Sequence, residues 1–272
     1  MYKAVLLTAV TAALMVTQAS AQDLAGTLKK IKETGTINIG HRESSIPFSY
    51  LDDKQQPIGY AMDLCMKVVD AVKAELKLPA LKVALQPVTS SNRIPLLQNG
   101  TIDLECGSTT NNSTRGKDVQ FAINHFYTGT RLLTKKSSKI TNYADLAKKT
   151  VSSTTGTTNA QVIRKYNQDK NLGMDIVLGK DHDDAMLMVD TGRSVAFAMD
   201  DILLFGLMGN SKNPSEWEVV GDSLQVEPYA CMLRKDDPKF QELVNGVISG
   251  MMKSGEFEKL YTKWFMSPIP PK

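Results

Sequence analysis

This chain of 272 residues is poor in the side chains that most often carry chemistry: it holds three cysteines, three histidines and two tryptophans. No His/Cys group stands at metal-ligand spacing, which argues against a zinc, haem or iron–sulfur site, and no cofactor is expected. A Gly-x-Ser-x-Gly elbow is absent, and so is the Gly-Lys-Ser/Thr ending that a nucleotide P-loop requires. Lysine and arginine number 32 against 29 acids, interspersed without a long run of either sign. Nucleic acid is therefore not expected as a partner, since a basic stripe or a known module would have to be visible. Apart from a short run at the start, no stretch approaches the roughly 20 apolar residues that cross a bilayer. Stable membrane insertion is not expected.

The run at the start has its own meaning. Lys3 precedes an apolar segment over 4–16, and Ala19-Ser20-Ala21 offers a small-x-small cleavage site before Gln22-Asp23. This is the pattern of a secretory signal peptide over 1–21. No Cys stands near the cleavage site, which argues against a lipid anchor. Removing the segment takes away Lys3 alone, so the formal charge falls from +3 to +2. About 250 residues remain, enough for one large or two modest cores.

Periodicity divides the rest into two series of strands and helices, one before and one after about residue 130. In the first, Leu24, Leu28 and Ile31 recur at helical spacing ahead of a strand over 36–40. Met62, Cys65, Val68, Val69, Val72 and Leu76 then line an amphipathic helix, and a strand over 81–85 follows. That rhythm argues for a parallel sheet with right-handed crossovers. In the second, a strand over 129–136 precedes Val151-Ser152-Ser153, which runs into Thr154-Thr155-Gly156-Thr157-Thr158-Asn159 and a helix. A further strand follows, then a helix opened by Asp181-His182-Asp183-Asp184, then an apolar strand over 195–199 ending at Asp200-Asp201.

The first series leads into SSNRIPLLQNGTIDLECGSTTNN, residues 90–112. Ser90, Ser91 and Asn92 are helix-starting residues, Pro95 fits a first turn, and Asn99-Gly100 ends the helix. Arg93 thus stands beside unpaired backbone N–H groups that already favour an anion. A strand over 101–105 then enters Cys106-Gly107-Ser108-Thr109-Thr110-Asn111-Asn112, whose hydroxyls and amides can surround one small polar molecule. Taken alone, the stretch suits equally well an arginine paired with a local acid and an ordinary polar turn.

This stretch, together with His41-Arg42-Glu43-Ser44-Ser45, Thr130-Arg131-Leu132-Leu133-Thr134-Lys135-Lys136 and Cys231-Met232-Leu233-Arg234-Lys235-Asp236-Asp237-Pro238, resembles the family 3 solute-binding proteins. These are the periplasmic amino-acid receptors of ABC transporters, and the resemblance is strongest to members that bind glutamate and aspartate. Two features depart from the pattern: Ala61 intervenes between Gly59-Tyr60 and Met62-Asp63-Leu64, and the chain stops at Ile269-Pro270-Pro271-Lys272 where relatives often continue. The resemblance implies an α/β, periplasmic-binding-protein-like fold of two α/β lobes joined by two crossing strands. Lobe 1 would be discontinuous, 22–128 and 229–272, and lobe 2 would span 129–228. Trp264 and Phe265 are expected to anchor the last helix in the core. The implied protein is a monomeric, periplasmic receptor that closes on an acidic amino acid and delivers it to a membrane permease, hydrolysing nothing.

Chemistry then assigns candidate ligand-binding residues. Arg93 can take an α-carboxylate bidentately. Ser108 and Thr110 can add hydrogen bonds from lobe 1, and Thr157 or Thr158 from lobe 2. Asp200 suits an ammonium, though its position equally suits a helix N-cap. Arg42, Ser90 and His182 can receive a side-chain carboxylate, though His182 is also a plausible helix-start residue. Arg115 is left outside the set because it can pair locally. The resembled strand order further implies a Cys106–Cys231 disulfide, with Cys65 as a small core residue. Two rival readings stay open: a dehydratase of the same fold acting on prephenate- or arogenate-like acids, with Asp103 or Glu105 as general acid, and a receptor for another polar amino acid such as glutamine.

Overall fold

A computed structural model of the protein describes residues 24–266, so the expected signal peptide over 1–21 lies outside the described residues. Helix α1 (Gly26–Thr34) buries Leu28 and Ile31 and ends at Gly35, whose φ of 62° is the left-handed turn that glycine adopts without strain. Strand β1 (Thr36–His41) leads to a small hairpin, β2 (Ser44–Ser45), β3 (Ser49–Leu51) and β4 (Pro57–Ile58). Helix α2 (Tyr60–Leu76) then buries the apolar stripe read from the sequence, Met62, Cys65, Val68, Val69, Val72 and Leu76. Next come β5 (Lys82–Pro87), α3 (Arg93–Gln98), β6 (Leu104–Cys106) and β7 (Val119–Phe121). The strand expected over 101–105 begins only at Leu104, because Ile102 N–H donates back to Leu96 O and holds the preceding residues in a turn.

Strand β8 (Phe126–Lys135) carries the chain out of this unit. It is followed by β9 (Thr150–Thr154), α4 (Thr158–Lys170), β10 (Asp175–Gly179), α5 (His182–Asp190), β11 (Ala196–Asp200), α6 (Asp201–Gly209) and β12 (Trp217–Val220). Strand β13 (Val226–Tyr229) returns, and β14 (Met232–Arg234), α7 (Pro238–Ser254) and α8 (Glu256–Phe265) complete the molecule.

Two sheets result. One has the order β5-β1-β6-β14-β7 and the other β10-β9-β11-β8-β12. Parallel pairing of β1 with β5 and β6, and of β9 with β10 and β11, matches the strand–helix rhythm of the sequence. The two lobes are joined by β8 and β13, which cross antiparallel with Thr128 opposite Glu227 and Phe126 opposite Tyr229. At the far end of the chain Trp264 is buried, its ring edge-on to Tyr50 and its indole N–H donating to Asp63 at 2.8 Å. Phe265 stacks on Phe126 with centroids 4.8 Å apart, so the last helix anchors in the core as expected.

The cysteine pairing needs correction. Cys65 and Cys106 form the disulfide, with Cα atoms 6.1 Å apart, and Cys231 is a free, buried thiol. The strand order behind the expected Cys106–Cys231 bridge is right: β14 pairs antiparallel with β6, and its register runs from Met232 opposite Glu105 toward Cys231 opposite Cys106. What overrides it is α2, whose buried face lays Cys65 against the same sulfur, so that the three sulfurs lie within 4.8 Å of one another. Alkylation of denatured, unreduced protein is expected to label Cys231 alone, and all three cysteines after reduction. Label on Cys65 before reduction would contradict this pairing.

Candidate ligand-binding site

The two lobes meet around a small, largely polar cavity. Eight of the nine candidate residues line it: Ser90, Arg93, Ser108, Thr110, Thr157, Thr158, His182 and Asp200, with Arg115, Asn159, Met199 and Leu203. The strand order explains the convergence. Strands β1 and β6 end beside α3 in one lobe, β9 and β11 end beside α4 and α5 in the other, and ligand sites in open α/β sheets gather at such ends.

Arg93, the first residue of α3, is 2% exposed. Its Nη1 lies 3.8 Å from Glu105 Oε1, too long for a hydrogen bond, and Nε and Nη1 have no partner. Burial, with the Arg115 charge beside it, pulls its guanidinium down to about 9. The same lobe offers Ser90, whose buried hydroxyl also lacks a partner, and Ser108, whose hydroxyl donates to Ser45 at 3.1 Å. Such unsatisfied donors are costly in a dry site and suit an anionic ligand.

Arg42 does not line the cavity but lies behind it, fully buried at the end of β1. Its Nη2 forms an ion pair with Asp181 across the lobes and sits 3.4 Å from His182 Nε2. Because a guanidinium only donates, that contact leaves Nε2 as acceptor and places the ring proton on Nδ1, 2.9 Å from Thr154 Oγ1. Asp181 also caps α5 by accepting from the His182 backbone N–H. Burial alone would raise the Asp181 carboxyl, but the Arg42 guanidinium overrides it and holds the group below its ordinary value. Nε and Nη1 of Arg42 have no partner.

In the second lobe each candidate has its own set of partners. Thr157 is an ordinary N-cap of α4: its oxygen accepts from Ala160 N–H at 3.1 Å and its hydroxyl donates to Thr154 O at 2.7 Å. Thr158 instead donates to Glu227 at 2.8 Å and meets Thr110 across the lobes at 3.4 Å. Asp200 occupies the N-cap position of α6 yet makes no capping bond with its side chain. Its two oxygens accept from Asn159 Nδ2 at 2.6 Å and from the Tyr229 hydroxyl at 2.5 Å.

Arg115, set aside in the sequence, joins the lobes: Nη1 donates to Thr110 O at 2.9 Å and Nη2 to Gly156 O at 3.3 Å. Gly156 permits the approach, since a Cβ there would stand 2.7 Å from Ser91 Cα. Glu227, also overlooked, is a fully buried acid on β13. The signal available was an acid set between Val226 and Pro228 in a crossing strand. Cys106 is held in its disulfide. Asp103 is engaged by Lys30 at 2.7 Å and Arg234 at 2.9 Å, so neither stands ready for acid–base or nucleophilic work.

The family model for bacterial extracellular solute-binding proteins, family 3, matches residues 37–267. The chain is 52% identical over 266 residues to the L-glutamate/L-aspartate-binding protein of Pseudomonas aeruginosa, covering 97% of this chain and 88% of that protein. It is 48% identical over 269 residues to the glutamate/aspartate import solute-binding protein of Escherichia coli, covering 99% and 89%. Among solved structures, a mutant of ArgBP from T. maritima superposes with a TM-score of 0.79 at 26% identity, covering 89% of this chain and all of that one.

Proposed function

The chain belongs to the family 3 bacterial extracellular solute-binding proteins, and from that membership we propose that it is a receptor for L-glutamate and L-aspartate. It binds the amino acid between its two lobes and hands it to the permease of an ABC transporter, as a binding protein and not an enzyme. Residues 1–21 direct export to the periplasm, where the protein works as a monomer. Lobe 1 comprises 22–128 and 229–272, and lobe 2 comprises 129–228.

The observation that carries this reading is the pair of buried arginines, Arg42 and Arg93, each with two guanidinium nitrogens that no protein acceptor satisfies. A dicarboxylic amino acid brings one carboxylate for each. Arg93 takes the α-carboxylate with Ser108 and Thr110. Arg42 and Ser90 take the side-chain carboxylate beside His182, and Asp200, with Thr157 and Thr158 beside it, faces the ammonium. The Asp181 carboxylate already on Arg42 favours a second reading, a receptor for glutamine, whose neutral amide needs less counter-charge. Titration calorimetry with glutamate, aspartate, glutamine and arginine separates them. Glutamate and aspartate are expected to bind at least tenfold more tightly than the others, about 1.4 kcal/mol, and glutamine binding as well as glutamate would favour the second reading.

The Arg115 contacts make a latch between the lobes, so ligand and closure should be coupled. Small-angle scattering is expected to show compaction on saturation with glutamate. Arg115→Ala should weaken binding about tenfold through loss of charged hydrogen bonds worth ~1.5 kcal/mol or more. A radius unchanged by saturating ligand would remove the clamp mechanism.

A further inference from the structure

The second-lobe side of the cavity holds more negative charge than one ammonium needs. Asp200 and Glu227 are both buried and share one hydrogen-bond network. Asn159 Nδ2 donates to Asp200 Oδ1 at 2.6 Å and to Thr130 Oγ1 at 2.8 Å, and the Thr130 hydroxyl reaches Glu227 Oε1 at 3.5 Å. Glu227 accepts further from Thr158 at 2.8 Å and from the Gln225 amide at 3.0 Å. Arg115 acts on both acids through space, but its hydrogen bonds go to two carbonyls; Arg42 pairs with Asp181, and Arg93 faces Glu105 at 3.8 Å. The other charged or titratable groups facing this corner are Asp201 at the start of α6, Tyr229 on β13, Glu105 on β6 and His182 on α5. Among the described residues no lysine or arginine forms an ion pair with either acid.

Two buried carboxylates in one dry network, neither with an ion-pair partner of its own, repel one another when both are ionised. We propose that the unliganded protein keeps a proton on Asp200, in the network it shares with the Glu227 side chain, and that the ammonium of an incoming amino acid displaces it, so that binding releases a proton. This rests on the reading of the cavity as a free amino-acid site. Burial and the Glu227 charge push Asp200 up to about 7, against the hydrogen bonds from Tyr229 and Asn159 that draw it down. The Tyr229 hydroxyl, raised well above its ordinary range by burial and by Asp200, stays a donor throughout. Glu227 is thus a tuning residue: it touches Thr158 and not the ligand, and it sets how tightly the ammonium corner holds its proton.

The sign follows from linkage. The unliganded state binds more protons than the complex, so affinity should rise with pH through the neutral range and level off once Asp200 is ionised. Calorimetry of L-glutamate binding at about pH 6, in buffers of contrasting ionisation heat, counts the protons released. Wild type is expected to release close to one proton more than Glu227→Gln, while both variants bind glutamate. Since His182 is present in both, its own proton exchange cancels in the difference. Equal proton counts in the two proteins would overturn the proposal and leave the receptor reading intact. Absence of heat with glutamate and aspartate would instead overturn the receptor reading. Carboxyl carbon-13 NMR of the unliganded protein would then decide the proton by itself. A carboxyl titrating near neutral pH in wild type and shifted down in Glu227→Gln supports it, and no buried carboxyl titrating above about pH 5 refutes it.

Discussion

Replacing Arg93 with alanine is expected to abolish measurable binding of every amino acid, acidic or neutral. The residue would contact the one group all of them share, the α-carboxylate. Truncating one member of a buried, hydrogen-bonded charge pair typically costs about 2–5 kcal/mol, a loss of roughly thirtyfold to several thousandfold. A folding defect can be told apart from a binding defect here. In the unliganded protein Arg93 sits buried with Nε and Nη1 unsatisfied, so its charge is a burden on the fold. Its removal should leave thermal stability nearly unchanged, apart from exposing Glu105 to a missing counter-charge. Arg93→Lys controls for that: it keeps a cation beside Glu105 but lacks the planar fork, and should still lose most of the affinity. Calorimetry with glutamate and glutamine on both variants makes the comparison, and retained binding of either ligand by Arg93→Ala would move the carboxylate site elsewhere.

Replacing Arg42 with methionine should have a different signature. Glutamate should weaken by at least tenfold, about 1.4 kcal/mol, while glutamine changes little, because only the side-chain counter-charge is lost. The Asp181 side chain, 16% exposed, is wet enough to survive the loss of its partner. Asp181 complicates the simple account in a useful way, since it neutralises Arg42 before any ligand arrives. Asp181→Asn should therefore increase the preference for glutamate over glutamine, by freeing the guanidinium for the ligand. In the double variant that gain should vanish, since Arg42 is what Asp181 acts through. An Arg42→Met protein with an unaltered glutamate-to-glutamine ratio would remove Arg42 as the side-chain clamp, and with it the main physical support for an acidic ligand.

Much of this architecture was readable because long elements carry their own period. Helix α2 displays its buried stripe over 17 residues, and β1, β5, β9 and β11 alternate with helices in a way that leaves few topologies. Strands β7 and β12, of three and four residues, are too short to show a period and exist because β14 and β8 recruit them. The site divided along the same line. Arg93, Ser108 and Asp200 stand where an element begins or ends, and such positions can be found by local pattern. Asp181, Glu227 and Tyr229 matter through partners far along the chain. The register of β8 with β13 and the contact between lobes place them, and neither is encoded in a short window. The disulfide failed for a related reason: strand order was available, but the way α2 lies on the sheet was not.

The position of β14 between β6 and β7 has a consequence for how the molecule comes into being. A chain that emerges from its N-terminus delivers β1, β5, β6 and β7 long before β14, and α7 and α8 arrive last of all. Until then the sheet carrying Arg93 has a gap at its fourth position and α2 lacks its helical cover, so that lobe waits on the final residues. The intervening lobe, whose strands β8 to β13 and helices α4 to α6 emerge in one uninterrupted run, can condense while the rest of the chain is still emerging. The order of synthesis thus builds the Asp200 half of the cleft first and the Arg93 half last, and a chain cut short within α7 should retain protease resistance over 129–228 only.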